Sequence, residues 1–224
     1  MKFLITYVGL FSVLLFLTFP VLAQKQHPPF WKDIQQFKKQ DQQNPPPKKA
    51  TLFIGSSSFT KWTDVQDYFP KHKIVNRGFG GSTLPDVIRY ADDIIFPYHP
   101  KQIVIYCGDN DAASSETISA DSILNRFKRL YQMIRSKLPR AEVTYISIKP
   151  SPSREKFFPV MDKANWEIKR FLEGERRADF VDIWHRMLDD YGQPRKELFG
   201  TDMLHMNKKG YAIWQKAIQP YLVK

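Results

Sequence analysis

Residues 51–62, "TLFIGSSSFTKW", join an apolar run, a glycine and three serines. A short, nearly continuous apolar run that ends in glycine is typical of a β-strand covered on both faces. Ser56, Ser57 and Ser58 follow at the turn into the next element. Serines at such a turn cap a helix N-terminus well, but a serine there can also expose its hydroxyl to a substrate. The stretch alone leaves both interpretations open.

Four further apolar runs predict strands: "KIVN" (73–76), "QIVIYCG" (102–108), "EVTYISI" (142–148) and "DFVDIW" (179–184). Apolar residues spaced three and four apart predict helices over 82–96, 119–138, 158–175 and about 211–221. Strand followed by helix, five times over, predicts an α/β fold with a five-stranded parallel sheet and helices on both faces. Such folds bind ligands beyond the carboxyl ends of their strands, so each candidate site residue has to follow a strand.

The chain before Thr51 divides into two parts. Residues 1–23 carry one lysine, a long apolar run and small residues before Ala23, which predicts a secretory signal peptide cleaved there. A retained membrane anchor is the alternative, because the apolar run approaches the length that spans a bilayer. Residues 24–50 predict a short amphipathic helix and a proline-rich connector, and residues 51–224 form the main domain. With cleavage, the protein is expected in the periplasm or outside the cell, with no stable membrane span.

Composition excludes several classes of function. The net charge of +11 comes from scattered lysines and arginines without a nucleic-acid-binding motif, so we expect no nucleic acid partner. A basic surface of this kind promotes solubility, and it can also bind anionic lipid or acidic polysaccharide. Cys107 is the only cysteine, which excludes an internal disulfide. The sequence also lacks the ligand spacing of a zinc site and any nucleotide-binding motif, so we expect no metal or cofactor.

Two stretches after the second and third strands could supply hydrogen-bond donors. In "NRGFGGST", residues 76–83, glycine lets the backbone approach a ligand, so the N–H of Gly81 could face the site. In "CGDND", residues 107–111, Asn110 would place a side-chain amide at the end of its strand. Such donors could stabilise an oxyanion, although a glycine-rich turn and an Asp-Asn turn are also common structural features.

Near the C-terminus, "TDMLHMNKKGY" places Asp202 and His205 three residues apart, ahead of the last helix. This spacing lets the carboxylate bind one imidazole nitrogen while the other faces a serine. Asp182 and His185 in "VDIWH" have the same spacing. We favour Asp202 and His205 because they lie in a loop bounded by glycines, whereas the other pair continues a predicted strand.

Together, "FIGSSS", "NRGFGGS", "CGDND" and "DMLH" resemble the four sequence blocks of the SGNH hydrolases, also called GDSL esterases and lipases. The resemblance extends from Thr51 to Tyr221, and the chain is most similar to the platelet-activating-factor acetylhydrolase-like branch. It implies a flavodoxin-like three-layer α/β/α fold. It also implies site roles: Ser57 as nucleophile, His205 and Asp202 as its triad partners, and the N–H groups of Ser57 and Gly81 with the amide of Asn110 as oxyanion hole.

The activity implied is hydrolysis of carboxylic esters without a cofactor, on a small ester, an acylated glycan or a lysolipid. One position departs from the family pattern, because Ser56 stands where the family usually has aspartate. That departure motivates an alternative of a different class, an exported protein that keeps the fold and binds glycan or another polyanion without catalysis. A chromogenic acetate ester distinguishes the two functions.

Overall fold

A computed structural model describes residues 27–224 of the chain. The predicted signal peptide, residues 1–23, lies outside the described residues. Within residues 27–224, no helix combines the length and the apolar character needed to cross a bilayer.

The sheet has five parallel strands, which confirms the predicted fold class. The strands are β1 (Thr51–Gly55), β2 (Ile74–Gly78), β3 (Gln102–Tyr106), β4 (Glu142–Ile146) and β5 (Ala178–Val181). Their spatial order is β2-β1-β3-β4-β5. The second strand lies on one side of β1, and the chain then crosses back so that β3, β4 and β5 follow on the other side. The reversal puts the ends of β1 and β3 beside each other, where open α/β sheets bind ligands.

Helices cover both faces of this sheet. They are α1 (Trp31–Gln43), α2 (Ser57–Thr60), α3 (Val65–Tyr68), α4 (Leu84–Arg89), α5 (Ala91–Ile94), α6 (Asp109–Ala112), α7 (Ala120–Lys137), α8 (Phe158–Glu173) and α9 (Lys208–Ile218). Turns of 3₁₀ helix lie at Phe96–Tyr98, Pro152–Phe157, His185–Met187, Lys196–Leu198 and Gln219–Tyr221.

Two hydrophobic cores lie on the two faces of the sheet, because successive strand side chains point to opposite sides. In β1, Leu52 and Ile54 enter one core, with α7 and α8, while Phe53 enters the other. The second core is aromatic and includes Trp62 and Trp214, both fully buried. This burial on both faces explains why the strands are apolar at nearly every position.

Element boundaries differ from the sequence prediction at several places, and three of these differences have a local cause. The predicted helix over 82–96 is divided into α4 and α5 at Tyr90, whose hydroxyl donates to the carbonyl of Pro29 at 2.6 Å. The last helix begins at Lys208 because the side chain of Asn207 caps it. The fifth strand ends at Val181, since the N–H groups of Ile183 and Trp184 donate to Ser147 Oγ at 3.0 and 3.1 Å and leave the sheet.

Candidate active site

The serine turn after β1 is built on a glycine that no other residue can replace. Gly55 has φ +132°, and a Cβ there would lie 1.9 Å from the carbonyl oxygen of Tyr106 in β3. The same carbonyl accepts the N–H of Ser56 at 3.0 Å. Ser57 is therefore the first residue of α2, at the carboxyl edge of the central strands.

The structure brings Ser57, His205 and Asp202 together. His205 Nε2 lies 2.9 Å from Ser57 Oγ, and His205 Nδ1 lies 2.6 Å from Asp202 Oδ2. The other carboxylate oxygen accepts the backbone N–H groups of Leu204 and His205 at 3.0 and 2.9 Å. The hydrogen bond to the His205 side chain and then these two N–H groups hold the pKa of Asp202 well below its usual range, so it is charged at neutral pH.

The loop that carries His205 is fixed at both ends. The N–H of Gly200 donates to the carbonyl of His205 at 2.8 Å, which closes the loop on itself. Asn207 accepts the N–H groups of Lys209 and Gly210 at the start of α9, and its amide donates to the carbonyls of residues 197 and 199. These contacts fix the imidazole position relative to Ser57 without a covalent link.

The second Asp-His pair has the same internal geometry but a different position. His185 Nδ1 lies 2.6 Å from Asp182 Oδ2, as in the pair beside Ser57. The side chain of His185 is 75% exposed, against 19% for His205. Within residues 27–224 it makes no hydrogen bond to a serine, because β5 ends before Asp182 and the chain turns away.

The predicted oxyanion donors differ in whether they already make hydrogen bonds. The N–H groups of Ser57 and Gly81 make no hydrogen bond to any other described residue, and Gly81 has φ +86°. Asn110 Nδ2 donates to Ser56 Oγ at 2.8 Å and to the carbonyl of Ser82 at 3.0 Å, which engages both amide hydrogens. Ser56, in the position of the family's aspartate, is buried and serves as an acceptor for Asn110.

A buried charge cluster that the sequence patterns did not predict lies directly behind Asn110. Lys149 is 1% exposed, and its ammonium lies 2.6 Å from Asp109 Oδ2 and 3.2 Å from the hydroxyl of Tyr106. Arg154 Nε lies 3.1 Å from Asp109 Oδ1. Burial raises the pKa of Asp109, but the two cations outweigh burial and leave its pKa below the usual value. The signal available in the sequence is "KPSPSR", residues 149–154, because it places two basic residues just after a strand.

No group of three or more His, Cys, Asp or Glu side chains in residues 27–224 is arranged to hold a metal ion.

The three-layer fold, with its polar cluster at the carboxyl edge of a five-stranded parallel sheet, is that of the SGNH hydrolases. The model of the GDSL-like lipase/acylhydrolase family matches residues 46–213. The chain belongs to this family, whose members are ester hydrolases in general. No curated protein matches the chain in sequence.

Solved structures show the same fold. A protein from Streptococcus pneumonia described as a platelet activating factor is 23% identical, with a TM-score of 0.73 over 86% of this chain and 92% of its own. A protein from Bacteroides fragilis described as an acylhydrolase is 21% identical, with a TM-score of 0.73 over 85% and 96%. A variant of an acetyl xylan esterase from Geobacillus stearothermophilus is 15% identical, with a TM-score of 0.63 over 80% and 99%.

Proposed function

We propose that the protein is a serine esterase that hydrolyses carboxylic esters of short acyl groups, such as acetyl, through an acyl-serine intermediate. The observation that carries this proposal is the 2.9 Å contact between Ser57 Oγ and His205 Nε2, with Asp202 at the other ring nitrogen. A serine that is bound to an imidazole held by a carboxylate has the arrangement that activates a hydroxyl as nucleophile.

In the first half of the reaction, His205 Nε2 takes the proton of Ser57 Oγ as the oxygen attacks the ester carbonyl. Asp202 holds the ring in the required tautomer and stabilises the imidazolium. When the tetrahedral intermediate collapses, the leaving alkoxide takes that proton from His205 and departs as the alcohol. Water then repeats the sequence with His205 as base, which releases the carboxylic acid and restores Ser57.

The N–H groups of Ser57 and Gly81 are the proposed donors to the oxyanion, since both are free of partners among the described residues. Asn110 supplies a third donor when its side-chain N–H releases Ser56 Oγ and donates to the oxyanion instead. Donors that are already in place act most strongly where charge develops in the transition state.

A short acyl group is supported by the open surroundings of Ser57. Gly80 and Gly81 are exposed, and a Cβ at Gly80 would lie 3.8 Å from the Cβ of Ser57, so this side of the serine is open. The name of the acetyl xylan esterase agrees with a glycan O-acetyl group as substrate. The proposed substrates are therefore acetylated glycans and other small acetyl esters, with lysolipids as the longer-chain alternative.

Hydrolysis of p-nitrophenyl acetate tests the proposal. Ser57→Ala and His205→Ala are expected to lose activity by about 10⁴-fold or more, and Asn110→Ala by about 10²–10³-fold. His185→Ala is the matched control, because it removes an equivalent imidazole from the pair that lies away from Ser57. Loss of activity in His185→Ala with retention in His205→Ala would show that the base is assigned to the wrong histidine.

A labelling experiment, read together with the hydrolysis assay, distinguishes an esterase from a protein that binds glycan without catalysis. A fluorophosphonate is expected to label the wild type at Ser57 and to leave Ser57→Ala unlabelled. A folded wild-type protein that neither reacts with the probe nor hydrolyses esters of acetyl or longer acyl groups would favour the binding protein. A panel of acyl chain lengths then separates an acetylesterase from a lipase.

We also propose that the protein is exported and that its signal peptide is removed after Ala23. N-terminal sequencing of the protein recovered outside the cytoplasm is expected to begin at Gln24. Recovery only in the membrane fraction with residues 1–23 attached would support a retained anchor instead.

A further inference from the structure

Two cations and one carboxylate lie behind Asn110, so the cluster carries a net positive charge. Lys149 and Asp109 are 1% and 5% exposed at their side chains, and Arg154 is 24% exposed. A buried charge of this kind is retained only where its partners are well placed, because removing it from water is costly. The cluster is therefore held together by specific buried partners, unlike an ion pair on the exposed surface.

Arg154 connects this cluster to Asn110. Its Nη2 lies 3.5 Å from Asn110 Oδ1, which has no other hydrogen-bond partner in the described part of the chain. A cation beside an amide oxygen polarises the amide and strengthens its N–H groups as donors. The neighbouring N–H of Ser153 donates to the carbonyl of Met203 at 3.0 Å, so the segment that carries Arg154 also contacts the loop of His205.

We propose that Arg154 is a positioning residue that orients and polarises the Asn110 amide, with Asp109 holding its guanidinium in place and Lys149 holding Asp109. This inference rests on the proposed esterase function, in which Asn110 contacts the oxyanion. Because Arg154 acts through Asn110, its removal is expected to cost less than removal of the donor itself.

Steady-state kinetics with p-nitrophenyl acetate tests this role. Arg154→Ala is expected to lower kcat by about 10- to 100-fold with little change in KM. Arg154→Lys is expected to restore part of the loss, and added guanidinium ion at millimolar concentration is expected to raise kcat of Arg154→Ala. In Asn110→Ala, the further change Arg154→Ala is expected to have almost no effect, because the amide that it acts through is absent.

Three outcomes would overturn the role of Arg154. The first is an unchanged kcat and KM in Arg154→Ala. The second is a raised KM with unchanged kcat in that variant, which indicates that Arg154 binds substrate directly. The third is additive losses in the double variant without rescue by guanidinium ion. Thermal unfolding followed by circular dichroism identifies a variant that has lost activity by unfolding, in which case Arg154→Lys carries the test. An inactive wild type overturns the proposed function itself, whereas an active wild type with an unaffected Arg154→Ala overturns only this inference.

A second inference rests on the opposite edge of the sheet. Every strand is preceded by a basic residue within two positions of its start, namely Lys49, Lys73, Lys101, Arg140 and Arg177. Because all five strands are parallel, their starts share the edge opposite Ser57. We call these five residues the basic edge.

Backbone hydrogen bonds connect members of the basic edge through the sheet. The carbonyl of Lys73 accepts from the first residue of β1 at 2.9 Å, and that of Lys101 accepts from the first residue of β4 at 2.9 Å. The carbonyl of Arg177 accepts from the second residue of β4 at 3.0 Å. Adjacent strands lie about 4.8 Å apart, so the basic edge forms a row across the sheet about 20 Å long.

A depression of about 540 Å³ lies in the middle of this row. Its lining includes no acidic residue and consists of Lys49, His99, Pro100, Lys101, Lys137, Leu138, Pro139, Arg140 and Ala141. Of the four lysines and arginines in the lining, Lys137 pairs with Asp92, and the other three form no ion pair with any residue in 27–224. Arg177, in the same row but outside the depression, pairs with Glu142. A flexible polymer can place its anionic groups inside a concave basic site. A flat bilayer cannot insert its anionic groups into such a site.

We infer that the basic edge binds an anionic polysaccharide, leaving the edge with Ser57 free for substrate. Heparin is the probe. The wild type is expected to bind heparin-agarose and to elute with salt, and the triple variant Lys49→Glu/Lys101→Glu/Arg140→Glu is expected to lose retention. Lys32→Glu/Lys39→Glu/Arg129→Glu is the matched control, because it makes the same charge change at exposed residues of α1 and α7 that form no ion pair in the described chain.

Equal loss of retention in both variants would show a general effect of net charge and overturn the site. Loss of binding to phosphatidylglycerol vesicles in the edge variant, with heparin retention intact, would overturn it in favour of a lipid surface. Hydrolysis of p-nitrophenyl acetate and thermal unfolding establish that both variants are folded. An edge variant that does not fold is replaced by Lys49→Gln/Lys101→Gln, with Lys32→Gln/Lys39→Gln as its control.

Discussion

Replacing Lys149 by methionine tests the buried charge cluster, because the two side chains have similar length and only one carries charge. The ammonium lies 2.6 Å from Asp109 Oδ2, which corresponds to a gross attraction of about 6 kcal/mol at an effective dielectric constant of about 20. Desolvation offsets part of that attraction in the native protein. Breaking a buried pair by removing one partner nevertheless costs about 3–5 kcal/mol, since the other charge stays buried.

The two ends of the pair are not equivalent. Lys149→Met leaves Asp109 with Arg154 at 3.1 Å, so we expect the low end of that range, about 3 kcal/mol. Asp109→Asn leaves the Lys149 ammonium with the hydroxyl of Tyr106 at 3.2 Å and no carboxylate, so we expect about 4–5 kcal/mol. For a protein of this size, a loss of about 3 kcal/mol lowers Tm by about 6–12 °C.

Urea unfolding at pH 7, followed by far-ultraviolet circular dichroism, gives the free energy of unfolding of each variant. Lys156→Met is the control, because Lys156 pairs with Glu116 at 3.2 Å while both side chains are mostly exposed. Its expected effect is below about 0.5 kcal/mol. A loss below about 1 kcal/mol in Lys149→Met, or a milder effect in Asp109→Asn than in Lys149→Met, would refute the reasoning from burial and residual partners.

Further predictions concern the site and its supports. Asp202→Asn is expected to lower kcat by about 10⁴-fold with Tm nearly unchanged, because it disturbs the tautomer of His205; full activity would contradict its role. Asn207→Ala is expected to lower the free energy of unfolding by about 1–2 kcal/mol in urea titration, since a helix cap is lost, and an unchanged midpoint would contradict this. Gly55→Ala is expected to prevent soluble folding in an expression assay, because a Cβ meets a backbone carbonyl of β3 at 1.9 Å; a wild-type yield would contradict it. The pKa of Asp109 is lower in the folded state than its ordinary 3.8, so its contribution is present above that pH and is lost as the pH falls through the lower value. The stability difference between wild type and Asp109→Asn is therefore expected to shrink in acid, and a difference that stays constant down to pH 2 would contradict this sign.

Much of the fold was predictable because its signals are local. The apolar runs at 51–55 and 102–106 form strands at those positions, since residues buried on both faces have to be apolar throughout. The end of the fifth strand was not predictable in this way. "DFVDIW" continues the apolar pattern, but Ile183 leaves the sheet because its N–H finds the hydroxyl of Ser147, a residue distant in sequence.

The candidate site was predictable where residue type and position after a strand coincide. Ser57, Asn110 and Gly81 all follow strands whose carboxyl ends meet at one edge. The charge cluster was only partly predictable: residues 149–154 place two basic residues just after a strand, but their partner Asp109 comes from a different strand end and no local pattern links them. Only the neighbouring positions of β3 and β4 bring the two charges together and bury them.

Local residue patterns specify the five parallel strands, the serine turn and two Asp-His pairs of identical spacing. That spacing fixes the contact within each pair, since the carboxylate and the imidazole are only three residues apart, and both contacts measure 2.6 Å. Which imidazole meets the serine depends on how distant parts of the chain pack together. His205 and Ser57 are 148 residues apart, and their 2.9 Å contact exists because the loop before α9 packs over the end of β1, whereas His185 leaves the sheet edge into solvent.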